Sequence, residues 1–140
     1  MSARKLAGEV AALPLFKGVS PAALQRMCDL SSLQTFEPGE ILMEDGRLGT
    51  ELYVILSGSV RVDLPGGRVV HSGPGETVGE MALMEYNRRS ATVTVDERLR
   101  ALVVHGSVFH QLLVDFPEVR ERIDSEVSTR IRNERPAQEV

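Results

Sequence analysis

The feature that most restricts the fold is a change of hydrophobic period at Gln34. Before it, apolar residues recur at helical spacing; after it, as far as Val104, they come in short β-forming runs cut off by turns. Gln34-Thr35-Phe36 stops at Pro38-Gly39, and Ile41-Leu42-Met43 stops at Asp45-Gly46. Glu51 to Leu56 is almost wholly apolar, as expected of a strand buried on both faces, and Gly58 should break it. Val60, Val62 and Leu64 then alternate with Arg61 and Asp63, the pattern of a half-exposed strand. Pro65-Gly66-Gly67 turns the chain, and Arg68 to His71 returns. Ala91 to Val95 and Leu99 to Val104 read as two further strands joined at Asp96-Glu97. Many short strands with closely spaced turns imply a sandwich or a jelly-roll barrel.

Helical patterns flank this region. Leu6, Val10 and Leu13 share one face until Pro14 ends the run, and Ser20-Pro21 is an N-cap followed by proline at the first helical position. Leu24, Met27 and Cys28 mark the apolar face of that second helix. Gly106-Ser107 should cap a helix from Val108 to Val114, and Pro117 opens a last one. There Val119, Ile123, Val127 and Ile131 recur every four residues among Arg120, Glu121, Arg122, Asp124, Glu126 and Arg130. One side of that helix wants a partner and the rest wants water. The tail from Asn133 to Val140, containing Pro136, should fray. The expected fold is therefore mainly β with flanking α: N-terminal helices over 1–33, a β-roll over 34–104 and C-terminal helices over 107–135.

A chain of 140 residues is one domain, large enough to bury a core without staples. The net charge of -4 argues against a nucleic-acid partner, which would demand a basic face. A lone cysteine, Cys28, allows no internal disulfide, fits a reducing cytoplasm and is expected to be a buried, inert thiol. No apolar run reaches membrane-spanning length and no signal-peptide core follows Met1, so this chain is expected to make no membrane contact of its own.

Only Val78 to Val93 interrupts the strands with helix-like sequence. Gly79-Glu80-Met81-Ala82-Leu83 begins a short apolar helical run, Arg88-Arg89 follows in a polar turn, and Ala91-Thr92-Val93 returns to β. A helix that short leaves most of its N–H groups unpaired, and a row of such donors attracts an anion, typically a phosphate. An arginine a few residues later can close over the same anion with a planar fork. A carboxylate cannot bind phosphate, so Glu80 suits a neighbouring ribose hydroxyl.

Gly79-Glu80-Met81-Ala82-Leu83 with Arg89-Ser90-Ala91-Thr92-Val93 resembles the phosphate-binding cassette of the cyclic nucleotide-binding domain family, including the nine-residue step from Glu80 to Arg89. The resemblance extends from about Leu13 to about Val127. It includes Leu13-Pro14-Leu15-Phe16, Glu37-Pro38-Gly39-Glu40, Tyr53 to Val60 and Asp115-Phe116-Pro117-Glu118. It implies a jelly-roll barrel with a short phosphate-binding helix, and a cyclic nucleotide, cAMP or cGMP, as ligand. It further implies that Arg89 pairs an equatorial phosphate oxygen. Backbone N–H groups of Ala82, Ser90 and Ala91 complete the cradle, and Glu80 with the Gly79 backbone holds the ribose 2′-hydroxyl. Met81 lies within the same ligand-binding run. The last helix commonly closes over the base in this family, which makes Val127, Arg130 and Ile131 the candidate lid.

Three positions depart from the family pattern. Arg88 stands where many members have proline, Val78 replaces a common aromatic, and Thr50-Glu51 precedes the Tyr53 strand where aspartate is frequent. Serine rather than threonine follows Arg89, which favours cAMP over cGMP. No metal or catalytic residue is expected: His71, His105 and His110 lack a cupin-like pairing, and no nucleophile–base pair stands out. The expected role is a cytoplasmic regulatory module attached to an effector, with a prokaryotic ion channel as one host. A free-standing sensor and a nucleotide-blind scaffold of the same fold are the rivals.

Overall fold

The computed structural model of the chain describes residues 3–47, 49–79 and 91–133, with side chains described over 5–47, 49–79 and 91–125. Helix α1 (Ala3–Ala11) buries Leu6, Ala7 and Val10, and Pro14 then opens a 3-10 turn (Pro14–Phe16) that buries Leu15 and Phe16. Helix α2 (Pro21–Asp29) starts where the Ser-Pro pair places it. The Ser20 hydroxyl accepts the Ala23 N–H at 3.2 Å and Pro21 occupies the first turn. Leu24, Met27 and Cys28 form its buried face. Burial, with the nearby Asp29 charge, pushes the Cys28 thiol up to about 11, so it packs as an inert apolar group.

Strands β1 (Ser32–Phe36), β2 (Ile41–Met43), β3 (Glu51–Asp63), β4 (Val69–Ser72), β5 (Thr77–Val78) and β6 (Thr92–His105) form one antiparallel sheet. Its order is β1-β6-β3-β4, with β2 also paired to β6 and β5 also paired to β3. Two expected breaks are corrected. Gly58 does not end a strand, and Asp96-Glu97 does not join two; β3 and β6 run through and stay paired from Glu51↔His105 to Asp63↔Thr92. What the sequence marks there is a bend. The register shifts between Ile55 and Val60, opposite the exposed Asp96, Glu97 and Arg98. Gly58 has φ +87°, and a Cβ on it would lie 2.1 Å from the Arg98 carbonyl oxygen. Only glycine allows that close approach in a left-handed conformation.

The fully apolar half of β3 is buried on both faces, and its alternation feeds two cores. Leu52 and Val54, with Leu102 and Val104 of β6, pack against the helices. Tyr53 and Ile55, with Ala101 and Val103, face the interior of the roll, where they meet Val60, Val62, Val70, Val93 and Val95 from beyond the bend.

Helix α3 (Gly106–Asp115) begins earlier than expected. Its N-cap is His105, whose Nδ1 accepts the Ser107 N–H at 3.3 Å, so Gly106 and Ser107 are helical residues and not the cap. Helix α4 (Pro117–Asn133) buries Val119 and Ile123 completely in the helical core. The first half of its apolar stripe therefore packs inside the protein. The side chains of Val127 and Ile131 lie outside the described ones, as does the tail expected to fray beyond Asn133.

Candidate functional site

The segment expected to bind ligand hangs from two strand ends that meet the same long strand at opposite sides of its bend. On the way in, Gly75 donates to the Ile55 carbonyl at 2.8 Å and Ile55 donates to the Glu76 carbonyl at 2.9 Å. Glu76 Oε1 closes the turn by accepting the Gly73 N–H at 2.9 Å. Thr77 and Val78 then pair with Val54 and Tyr53. On the way out, Thr92 and Val93 pair with Asp63 and Val62, and Val93 also faces Met43 of β2. The Asp45 N–H donates to Thr92 Oγ1 at 3.1 Å, tying the β2 turn to the same point.

Val78 and Ala91, the residues nearest each end with described side chains, are both buried in the roll core. Tyr53, beside Val78, stacks edge-on against Phe36 with centroids 6.0 Å apart, and its hydroxyl donates to the Leu42 carbonyl at 3.4 Å. That edge-on aromatic pair adds packing energy beside the Val78 end. Both ends of the segment are thus fixed to an apolar interior.

Among the sequence-predicted site residues, two can be placed. Gly79 directly follows β5 with φ +96°, so its glycine has a backbone reason independent of any sugar beside it. Ala91 buries its methyl group in the roll core, immediately before β6. Glu80, Met81, Ala82, Arg89 and Ser90, and with them Arg88, lie outside the described residues, as do the side chains of the candidate lid Val127, Arg130 and Ile131.

The sequence reading missed two arginines that hold the helices around this frame. Arg100 of β6 grips Glu9 of α1 through both guanidinium nitrogens, at 2.9 Å for the Nη2–Oε2 bond. That bond is the first cause holding the Glu9 carboxyl below its ordinary value. Arg122 of α4, assigned to the watery side of its helix, is instead half-buried. Its Nη1 donates to the backbone carbonyls of Leu15 at 2.9 Å and Lys17 at 2.6 Å. Neither pairing has a local signal, because the partners are about a hundred residues apart and, for Arg122, are backbone atoms.

Comparison with known proteins gives a consistent picture. The model of the cyclic nucleotide-binding domain matches residues 33–116, more than half of the chain. The chain is 35% identical over 112 residues to the cyclic nucleotide-gated potassium channel mll3241 of Mesorhizobium japonicum, covering 80% of this chain and 31% of the channel. It is 28% identical over 116 residues to the mouse potassium/sodium hyperpolarization-activated cyclic nucleotide-gated channel 2, covering 83% of this chain and 13% of that one. The chain thus spans less than a third of the length of either channel. Its fold superposes on the solved structure of cAMP-bound PfPKA-R with a TM-score of 0.80 at 19% identity, over 92% of this chain and 45% of that one. The rolled sheet with flanking helices is the jelly roll expected from the sequence. Among the described residues, no helix is long and apolar enough to cross a membrane.

Proposed function

The chain belongs to the cyclic nucleotide-binding domain family, and on that premise we propose that it is a regulatory module that binds cAMP in preference to cGMP. The observation that carries this reading is the segment from Gly79 to Val93, which has Glu80 and Arg89 nine residues apart and is anchored at both ends to the roll core. Arg89 and the N–H groups of Ala82, Ser90 and Ala91 take the cyclic phosphate; Glu80 and Gly79 take the ribose. The serine at position 90 favours adenine. Recognition of this kind is electrostatic and directional, and nothing in it requires a catalytic step.

Binding alone is not an output, because a ligand shifts an equilibrium only through different affinities for two states. We place the second state in α4: nucleotide draws the segment and α4 inward, Val127, Arg130 and Ile131 close over the base, and the N-terminal helices follow. The attached effector is an ion channel, as in the cyclic nucleotide-gated relatives, and the module works in the cytoplasm.

The deciding experiment is a calorimetric titration of wild type and Arg89→Ala with cAMP and cGMP. Tighter binding of cAMP, lost in the variant, is the expected result. Millimolar or absent binding of both nucleotides by wild type makes the chain a nucleotide-blind scaffold, a reading that Arg88 and Thr50-Glu51 would then explain. Truncation after Glu126 tests the lid, because it removes Val127, Arg130 and Ile131 and spares Arg122 and the buried Ile123; it should weaken affinity several-fold, and an unchanged affinity removes the lid.

A further inference from the structure

Three segments distant in sequence meet at one cavity of about 300 Å³. Pro14 and Leu15 come from the 3-10 turn, Pro74, Gly75 and Glu76 from the turn leading into the ligand segment, and Arg122 from α4. From this meeting we infer that Arg122 is the latch that makes α4 and the N-terminal helices move as one body, an inference that rests on the ligand reading above.

The 3-10 turn spends its own amides locally. Phe16, Lys17 and Val19 donate to the carbonyls of Leu13, Pro14 and Phe16. Among the described backbone bonds, the carbonyls of Leu15 and Lys17 are left over, and Arg122 takes both. Charge-assisted bonds to carbonyls that face one guanidinium are short and directional. They fix the turn to α4 in position as well as in proximity. Beneath them, Val119 and Ile123 of α4, Leu15 and Phe16 of the turn and Val19 just after it share the helical core. That apolar contact favours association but does not set a register; the guanidinium supplies it.

The opposite wall of the cavity is the turn bonded to β3 through Gly75 and Glu76, three residues ahead of Gly79 at its nearest. Motion at the ligand segment therefore reaches this cavity through a short, hydrogen-bonded stretch. When α4 moves, the latch carries the 3-10 turn, and with it α1 and α2. Arg122 is a positioning residue here; it touches no ligand.

Amide hydrogen exchange on the 140-residue chain, with and without cAMP, tests the latch using Arg122→Gln and Arg122→Lys. Without nucleotide, Arg122→Gln should exchange about tenfold faster at residues 16–19, as expected for lost bonds to a charged donor. With nucleotide, it should keep the protection gained around Gly79 and Ala91 but lose the change in α1 and α2. Arg122→Lys retains a charged donor on a shorter reach and should fall between, which guards against misfolding of the glutamine variant. A normal cAMP-dependent change in α1 and α2 of Arg122→Gln overturns the latch alone. A wild type that responds to neither cAMP nor cGMP overturns the ligand reading and the latch with it.

Discussion

The helical core and the roll core are fed by the same two strands, yet the balance of side chains differs between them. The helical side holds Phe16, Leu24, Met27, Phe109, Leu112 and Ile123, long or aromatic groups that interdigitate between helices. The roll side holds Val60, Val62, Val70, Val78, Val93, Val95 and Val103 with Ala91 and Ala101. Stiff β-branched side chains suit a pleated surface and leave little to rearrange, whereas long side chains in a helical interface can repack as helices shift. The division teaches where to look for each property. On the proposed reading, ligand contacts hang from the roll core, while output passes through the helical core.

The sharpest way to break that division is Phe109→Ala. Phe109 is 1% exposed on α3, and truncating a fully buried phenylalanine costs about 3–5 kcal/mol of stability. Chemical denaturation should show that loss, while cAMP affinity measured well below the midpoint should stay at the wild-type value. A parallel fall in affinity would mean the two cores are not separable. Arg89→Ala is the mirror experiment. Losing a desolvated charge pair should weaken nucleotide binding by about 2–5 kcal/mol, with the unfolding free energy of the ligand-free protein within about 0.5 kcal/mol of wild type. A large stability loss would recast Arg89 as a structural residue.

Gly58→Ala strikes the bend that lets one strand pair line both halves of the roll. Holding an L residue at φ +87° costs about 1–3 kcal/mol. The Arg98 carbonyl blocks the new methyl group, so β3 must also shift. Stability should fall and cAMP affinity should fall with it, because Val78 and Val93 meet β3 on opposite sides of the bend. Retained affinity would show that the two ends of the segment need not keep their spacing.

Legibility in the sequence follows the same division. Apart from β5, where Val78 was read as the start of the helix-like segment, the strand positions, the Ser20 cap and the buried faces of α1, α2 and α4 were readable because period, caps and turns are local signals. The bend was visible as Gly58 and Asp96-Glu97 but misread as two breaks. Glycine marks a departure from regular strand geometry and cannot say whether pairing resumes. The His105 cap was missed because histidine is not among the usual capping residues, although its Nδ1 serves as an acceptor. For the site, the Glu80–Arg89 spacing came from resemblance, and those two residues lie outside the described ones. The structure contributes the anchors on either side of them. Arg122 and Arg100 were illegible in principle, since an arginine, whether among helix-surface charges or within a strand, carries no mark of a partner about a hundred residues away.

The smallest predicted effect tests whether α1 belongs wholly to the helical side. Glu9 and Arg100 cross from α1 to β6, with side-chain exposures of 35% and 26%. Solvent screening at that exposure limits the pair to about 0.2–1 kcal/mol. Arg100 lowers the Glu9 carboxyl from its ordinary value of 4.5, so the folded state binds this proton less readily than the unfolded chain. The pair's stabilisation is therefore fully present above pH 4.5 and drains away as the pH falls through the depressed folded value. Glu9→Gln should be slightly less stable than wild type at pH 7, and the difference should shrink as acid protonates the wild-type carboxyl. Added salt at pH 7 should narrow it in the same way. If the difference instead persists unchanged at low pH, the glutamate contributes through packing and the crossing tie is not electrostatic. Nucleotide offers a second reading of the same pair. If α1 travels with α4 as the Arg122 contact implies, the tie to β6 must be remade, and Glu9→Gln will change cAMP affinity by no more than the worth of the pair.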